Sequence, residues 1–313
     1  GLIRVATGKS DASSSGAIFI QSSNAGDLGV SGSLMFSTGT TSSGSSGYLK
    51  LASGNAVGGK AGDMLVVLGT GDTGAGGDIL MNAGASSDSA DGTGGAIRLT
   101  SGYGTQSSSG AVVLKSSNAG VGGVSGMLQF RTGEASSGSS GSISLATGNA
   151  AASGEGGNIL LQVGSGTEGN GGGISMVAGA ITGTGIGGSI SGTAGASAST
   201  TGGSINLLSG AGTASSSGSI VLRTAASGLN GVSGALTFAT GTAKLGSSGL
   251  VEVLSGSATG GKGGDIRLAV GKGIGTDMIG GDIIATAGDV SAFTGGLIRV
   301  ATGKSDASSS GAI

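Results

Sequence analysis

The sequence predicts an all-β protein, a β-solenoid (parallel β-helix) with one coil of ~15 residues per repeat. Three observations predict it. A short unit recurs about twenty times along the 313 residues. Apolar residues alternate with period two inside each unit, and glycine holds the same two places in nearly all of them.

The repeat comes first, because self-similarity at a fixed period decides the fold before any local pattern does. Cutting before the Gly of each G-x-Φ-x-Φ motif (Φ, aliphatic or aromatic) gives twenty complete units and the stub Gly311-Ala312-Ile313. Most units have 15 residues and the others 16, 17 or 18. Position 1 is Gly in all twenty, position 3 is Ile, Leu, Val or Met in all twenty, and position 8 is Gly in seventeen. Position 5 is large and apolar in eighteen, Gly192 and Ala285 being the exceptions.

A longer order lies above the unit. Units opening at Gly16, Gly110 and Gly218 share their irregularities, and each precedes a unit with Phe at position 5, namely Phe36, Phe130 and Phe238. Super-repeats therefore run 1–94, 95–202 and 203–295 within a single continuous 1–313 domain. Residues 296–313 then restart the series, repeating 1–18 without change at an offset of 295. Neither end departs from the repeat, so the expectation is uncapped ends and an excerpt of a longer tandem array.

Period-two apolar spacing is strand spacing with one face inward. Helix is disfavoured, since each interior Gly costs about 1 kcal/mol relative to Ala. Hairpin meanders would carry Asn-Gly or Asp-Gly turns, and only Asp91-Gly92 and Asn230-Gly231 occur. Units that begin and end alike favour parallel, in-register stacking, and about twenty coils at ~4.8 Å would give a rod on the order of 95 Å. The expected core columns are positions 3 and 5. Their representatives are Ile3, Val5, Ile18, Ile20, Phe36, Phe130, Ile143, Leu145, Ile220, Leu222 and Phe238, with small residues at position 7 completing the section. Gly at positions 1 and 8 is expected at tight corners, through positive φ or close backbone approach. Longer coils such as Gly77 to Gly94 are expected to bulge at the second turn.

Position 4 should face outward. It carries Arg4, Lys50, Arg98, Glu252, Arg267 and Arg299, yet also Phe19, Met35, Leu65, Leu80, Val113, Leu160, Val221 and Ile284. Apolar residues recurring on an outer face in matched coils mark these eight as candidate lateral contacts with another rod or a covering layer.

Composition removes most chemistries. Gly numbers 75, Pro, Cys, His and Trp are absent, aromatics make up 2% and charged residues 10% of the chain. Collagen needs Pro and a Gly at every third place. Missing Cys and His exclude disulfides and thiolate or imidazole metal sites, and remove the usual general base and thiolate nucleophile. The chain is therefore read as no enzyme, with no catalytic residue, cofactor or metal. Fourteen basic against sixteen acidic residues, dispersed and almost without aromatics, do not suit nucleic acid. The longest apolar run, Met64 to Leu68, is five residues, far short of a membrane span.

Five segments look chemical and read better as repeat turns. Gly69 to Gly74 and Gly164 to Gly169 match G-x-G-x-x-G, but about four such matches arise by chance at this Gly content, and no helix should follow. Gly54 to Lys60 and Gly256 to Lys262 match G-x-x-x-x-G-K, but Ala61 and Gly263 stand where a phosphate loop needs Ser or Thr. Gly260 to Asp265 resembles the start of a calcium nonapeptide without recurring at nine. Asp63 with Asp78, and Asp265 with Asp282, lie on adjacent coils, too few for a calcium ladder, which needs acidic oxygens coil after coil.

The segment GSISLATG (Gly141 to Gly148) with its spacer SSGSS resembles the giant Gly/Ser-rich tandem-repeat proteins of algae and related protists, and bacterial adhesin stalks. The resemblance spans the whole chain through its composition. It implies an extracellular or cell-surface filament and carries over no functional residue. The expected function is a structural repeat protein forming a rigid rod, fibre, hair or stalk, self-associating head-to-tail, laterally or both. Its Ser/Thr-rich turns would be open to O-linked sugar, and no Asn lies in an N-glycosylation sequon. The alternative is an ice- or surface-binding solenoid, which needs regular Thr ladders; Thr fills position 7 in only seven units.

Overall fold

A computed structural model describes residues 1–88, 92–151, 153–274, 279–306 and 309–312. The chain divides into two units, Gly1–Leu160 and Leu161–Ile313. Both are built the same way, from position 1–7 segments without regular secondary structure joined by bent Gly/Ser-rich loops.

Bends recur with the repeat. In the 15-residue units they fall at positions 11–13, as at 42–44, 72–74, 136–138, 198–200 and 244–246. Four units with one extra residue close an i→i+3 turn there instead. In these, the Gly29, Gly123, Gly154 and Gly231 amides donate to the carbonyls of Gly26, Gly120, Ala151 and Gly228 at 3.0–3.3 Å. Left-handed glycines belong to this corner too: Gly44, Gly58, Gly74, Gly122, Gly138 and Gly169 have φ between +76° and +104°. Only a residue without Cβ takes that backbone without strain. The sequence places this freedom at position 8, but no position-8 glycine of the described residues has positive φ. The long unit Gly77 to Gly94 has residues 89–91 outside the described set, as has the Asp91-Gly92 pair through Asp91.

The predicted parallel β-helix is not the fold. Among the described residues there is no strand and no helix. A solenoid stacks like on like, position 1 above position 1, with a ladder of backbone bonds between coils. Here unlike positions meet: position 7 of one unit abuts position 1 of the next. A Cβ added at Gly16, Gly32, Gly141 or Gly249 would fall 3.2–3.3 Å from the Thr7, Ser22, Thr132 or Thr240 side chain. The backbone contributes one bond per junction where it contributes any, from the position-1 amide to the preceding position-8 carbonyl, as Gly203 to Gly195 at 2.8 Å and Gly296 to Gly288 at 2.9 Å. One bond is no ladder, so the coil rise and rod length expected from stacking do not apply.

Two physical terms favour the local closure. Joining position 8 to the next position 1 closes a loop about half as long as a full coil, and loop-closure entropy grows with length. Gly-rich segments also specify strand register weakly, because glycine offers no side chain to pack against a cross-strand neighbour.

No apolar side chain is buried among the described residues. Accessible area totals 30955 Å² for a 28.5 kDa chain. A folded monomer of that mass exposes about 11,000 Å² and its extended chain roughly 41,000 Å². The chain by itself thus leaves most of its apolar surface in water.

Candidate functional site

The feature with the most structure is the junction between consecutive units, built from positions 7, 8 and 1. Its closing backbone bond forms at seven junctions, among them every one with Ala at position 7 and three of the thirteen with Ser or Thr. All four units with Ala at position 7 (Ala83, Ala178, Ala194, Ala287) form the closing amide-to-carbonyl bond, onto Gly84, Gly179, Gly195 and Gly288. Ser101, Ser209 and Thr302 also allow it. Leu68, Val163 and Val270 do not: the branched side chain fills the space the next glycine would enter. A Cβ on Gly172 would stand 2.8 Å from Val163 Cγ1, and one on Gly281 2.9 Å from Val270 Cγ1. Two hydroxyls supply a substitute bond, Ser22 Oγ donating to Gly32 C=O at 2.8 Å and Thr147 Oγ1 to Gly157 C=O at 3.2 Å. Position 7 accordingly lies beside the next unit's glycine.

Apolar position-7 residues mark the longer order. Leu68, Val163 and Val270 each occupy the fifth unit of a super-repeat, and an Ala follows in the sixth. They are the least exposed large apolar side chains of the described residues, at 45%, 42% and 46%. The sequence shows Val in two units and Leu at 68 among otherwise small position-7 residues, and their common place in the fifth unit of each super-repeat is visible in the residues themselves.

The columns expected as core are graded but open. Position 3 is the more sheltered, with Ile18, Ile143 and Ile220 between 52% and 55% exposed. Position 5 is more open, as at Ile20, Phe36, Phe130, Leu145, Leu222 and Phe238. The eight candidate lateral contacts at position 4 (Phe19, Met35, Leu65, Leu80, Val113, Leu160, Val221, Ile284) are the most open of the three, at 72–87%. Period-two alternation therefore survives as a gradient of shelter rather than as a core and a surface.

The repeated ends give an internal control. Ile3 and Ile298 lie in identical sequence, yet Ile3 is 93% exposed and Ile298 53%. Val5 and Val300 hardly differ. Ile298 has a unit before it, whose Ala287 and Gly288 crowd Gly296. Shelter of position 3 is thus the work of the preceding unit.

None of the motif matches gathers a site. Gly74 and Gly169 close theirs in left-handed bends, and no helix follows to present backbone amides. Lys60 and Lys262, the lysines of the phosphate-loop matches, are ion-paired to Asp63 at 2.9 Å and Asp265 at 2.7 Å. Each Asp thereby brings its own cation. Lys9 and Lys304 pair in the same way with Asp11 and Asp306. All four pairs are largely exposed, where screening leaves little net stabilisation. Among the described residues no three His, Cys, Asp or Glu side chains converge on a metal-sized space.

Open recesses lie along the surface. Those of about 440 Å³ at Arg223–Ala226 and about 420 Å³ at Arg131–Glu134 are each lined by four consecutive residues, positions 6–9 of one unit. A third, about 350 Å³, lies between Leu51, Ala52 and Ser53 of one unit and Asp63 to Val66 of the next. It is walled chiefly by apolar side chains that their own chain leaves uncovered. No helix of the described residues is long and apolar enough to cross a membrane. Comparison with protein-family models, with curated proteins and with solved structures finds no match.

Proposed function

We propose that this is a structural tandem-repeat protein whose copies associate into an extracellular or cell-surface fibre. One observation carries the reading: every repeat presents an apolar side chain at position 3, and eighteen of the twenty a second large one at position 5, that the chain does not bury. Full burial of one such side chain is worth about 1.5–3 kcal/mol. Two in most units, iterated through the sequence, make a strong drive toward association. A surface patch this extensive is unusual for a protein that works alone. A repeat that offers the same apolar positions in unit after unit suits another copy of itself, because any contact that one unit makes can be repeated by the next. The Ser/Thr-rich bends at positions 11–15 lie outside these faces and leave room for O-linked sugar.

Sedimentation of purified chain over a concentration series, with negative-stain imaging of the pellet, tests this. Unbranched filaments above a critical concentration are expected. A chain that stays dispersed and monomeric at every concentration below its solubility limit refutes the reading.

A further inference from the structure

The chain has six methionines and no Cys, His or Trp, so thioether sulfur is its readily oxidised group. Three of the six stand in the apolar columns. Position 3 is a branched aliphatic residue in nineteen units and Met64 in the other. Position 5 is branched aliphatic or Phe in sixteen, Gly192 and Ala285 in two, and methionine in the remaining two, Met81 and Met176. Those two hold the same place, the sixth unit of the first and second super-repeats, where the third has Ala285. Position 7 of that unit is Ala83, Ala178 or Ala287. Of positions 5 and 7 there, only methionine supplies a long apolar side chain. Met35 and Met127 fall outside both columns, at positions 4 and 2, and Met278 lies outside the described residues.

The column methionines are open to water in the single chain, Met64 at 59%, Met81 at 65% and Met176 at 74% exposure. A small oxidant reaches their sulfurs without any opening of the structure. Met64 also walls the recess between Leu51 and Val66.

We propose that Met64, Met81 and Met176 are modification sites, oxidised by peroxide to methionine sulfoxide, and that this conversion opposes self-association. The proposal rests on the self-association reading and places a modification on the same apolar columns. The thioether sulfur attacks one oxygen of hydrogen peroxide, so that an S–O bond forms as the O–O bond breaks. Sulfur gives up two electrons, and the second oxygen leaves as hydroxide. That hydroxide takes the proton released by the first oxygen and becomes water. The product carries a polar S=O group in place of an apolar sulfur. In the dispersed chain this oxygen is solvated. Covered by apolar neighbours of another copy, it is an acceptor without a donor, which is costly. The effect therefore falls on assembly, because the single chain buries none of the three.

Hydrogen peroxide applied to the dispersed chain, then destroyed with catalase, tests this. Peptide mass spectrometry locates the added oxygen, and sedimentation over a concentration series gives the critical concentration. M278L is introduced throughout, so that every sulfur followed is a described one. Oxidation of this parent should raise the critical concentration about tenfold or more, as lost burial of several apolar side chains would. Adding M64L, M81L and M176L conserves apolar volume, and oxidation should then shift the value by less than about twofold. Adding M35L and M127L instead should leave the full sensitivity. In sedimented assemblies of the parent, Met64, Met81 and Met176 should take up oxygen more slowly than in the dispersed chain. A triple Leu variant as sensitive as its parent overturns the modification sites and leaves self-association standing. So does a parent fully oxidised at the three sites that sediments at its former concentration. An untreated chain that never sediments overturns both.

Discussion

Gly172 lies so close beneath Val163 that a Cβ at position 172 would stand 2.8 Å from Val163 Cγ1. The contact shows why Gly172, like Gly281 beside Val270, is glycine: the position-7 side chain occupies the volume a side chain there would need.

Substituting that glycine should therefore loosen the junction. For G172A we expect a loss of about 1–3 kcal/mol in local stability, the usual cost of overpacking. Faster amide exchange across residues 161–175 by mass spectrometry would report it. G164A, whose added Cβ meets nothing within 4 Å, should leave exchange unchanged, and V163A should rescue G172A. Equal effects of G172A and G164A would refute the assigned contact.

Position-7 size should control the closing bond. A287V ought to break the bond from the Gly296 amide to the Gly288 carbonyl, now 2.9 Å. Its net worth is about 0.5–1.5 kcal/mol, so protection of the Gly296 amide should fall roughly tenfold. In the opposite sense, V163A should create a protected Gly172 amide. Protection that does not follow side-chain size would show that the glycines alone set the closure.

Apolar position 3 should matter for assembly more than for the single chain. Ile143 is about half exposed, so I143D leaves the dispersed chain soluble. Within an assembly it would bury an unpaired carboxylate, which costs several kcal/mol. The critical concentration should rise at least tenfold, whereas S144D, one residue away on the open side, should raise it far less. Matching effects at 143 and 144 would deny the two faces their different roles.

The exposed ion pairs should contribute little within the chain. K9A and K304A, which release Asp11 and Asp306, are expected to leave amide exchange of their loops within a factor of about two, in keeping with exposed pairs. A tenfold change at either site would mean that the pair organises its loop.

Much of the architecture could be read from the residues. The unit, its super-repeats and the alternation of positions 3, 4 and 5 are all visible in sequence. The alternation reappears as the gradient in which Ile18 is better sheltered than Ile20 and Ile20 better than Phe19. The place of the glycine turns was half legible. Position 1 has the expected close approach, but positive φ sits at Gly44, Gly74 and their equivalents rather than at position 8. Shelter by the preceding unit, plain in Ile298 against Ile3, could not be read, because alternation within a unit does not say which neighbouring unit covers position 3.

By itself the sequence determined the period, the two apolar columns, the matched super-repeats and the absence of thiol and imidazole chemistry. Each is a property of order along the chain. Tertiary structure decided which positions meet, with Thr7 against Gly16 and Val163 against Gly172 in place of like upon like. Both arrangements satisfy the same alternation, so periodicity could not choose between them. Short loops close at lower entropic cost, and glycine-rich segments define register weakly. The result is a chain held by single junctions, with its apolar columns left open.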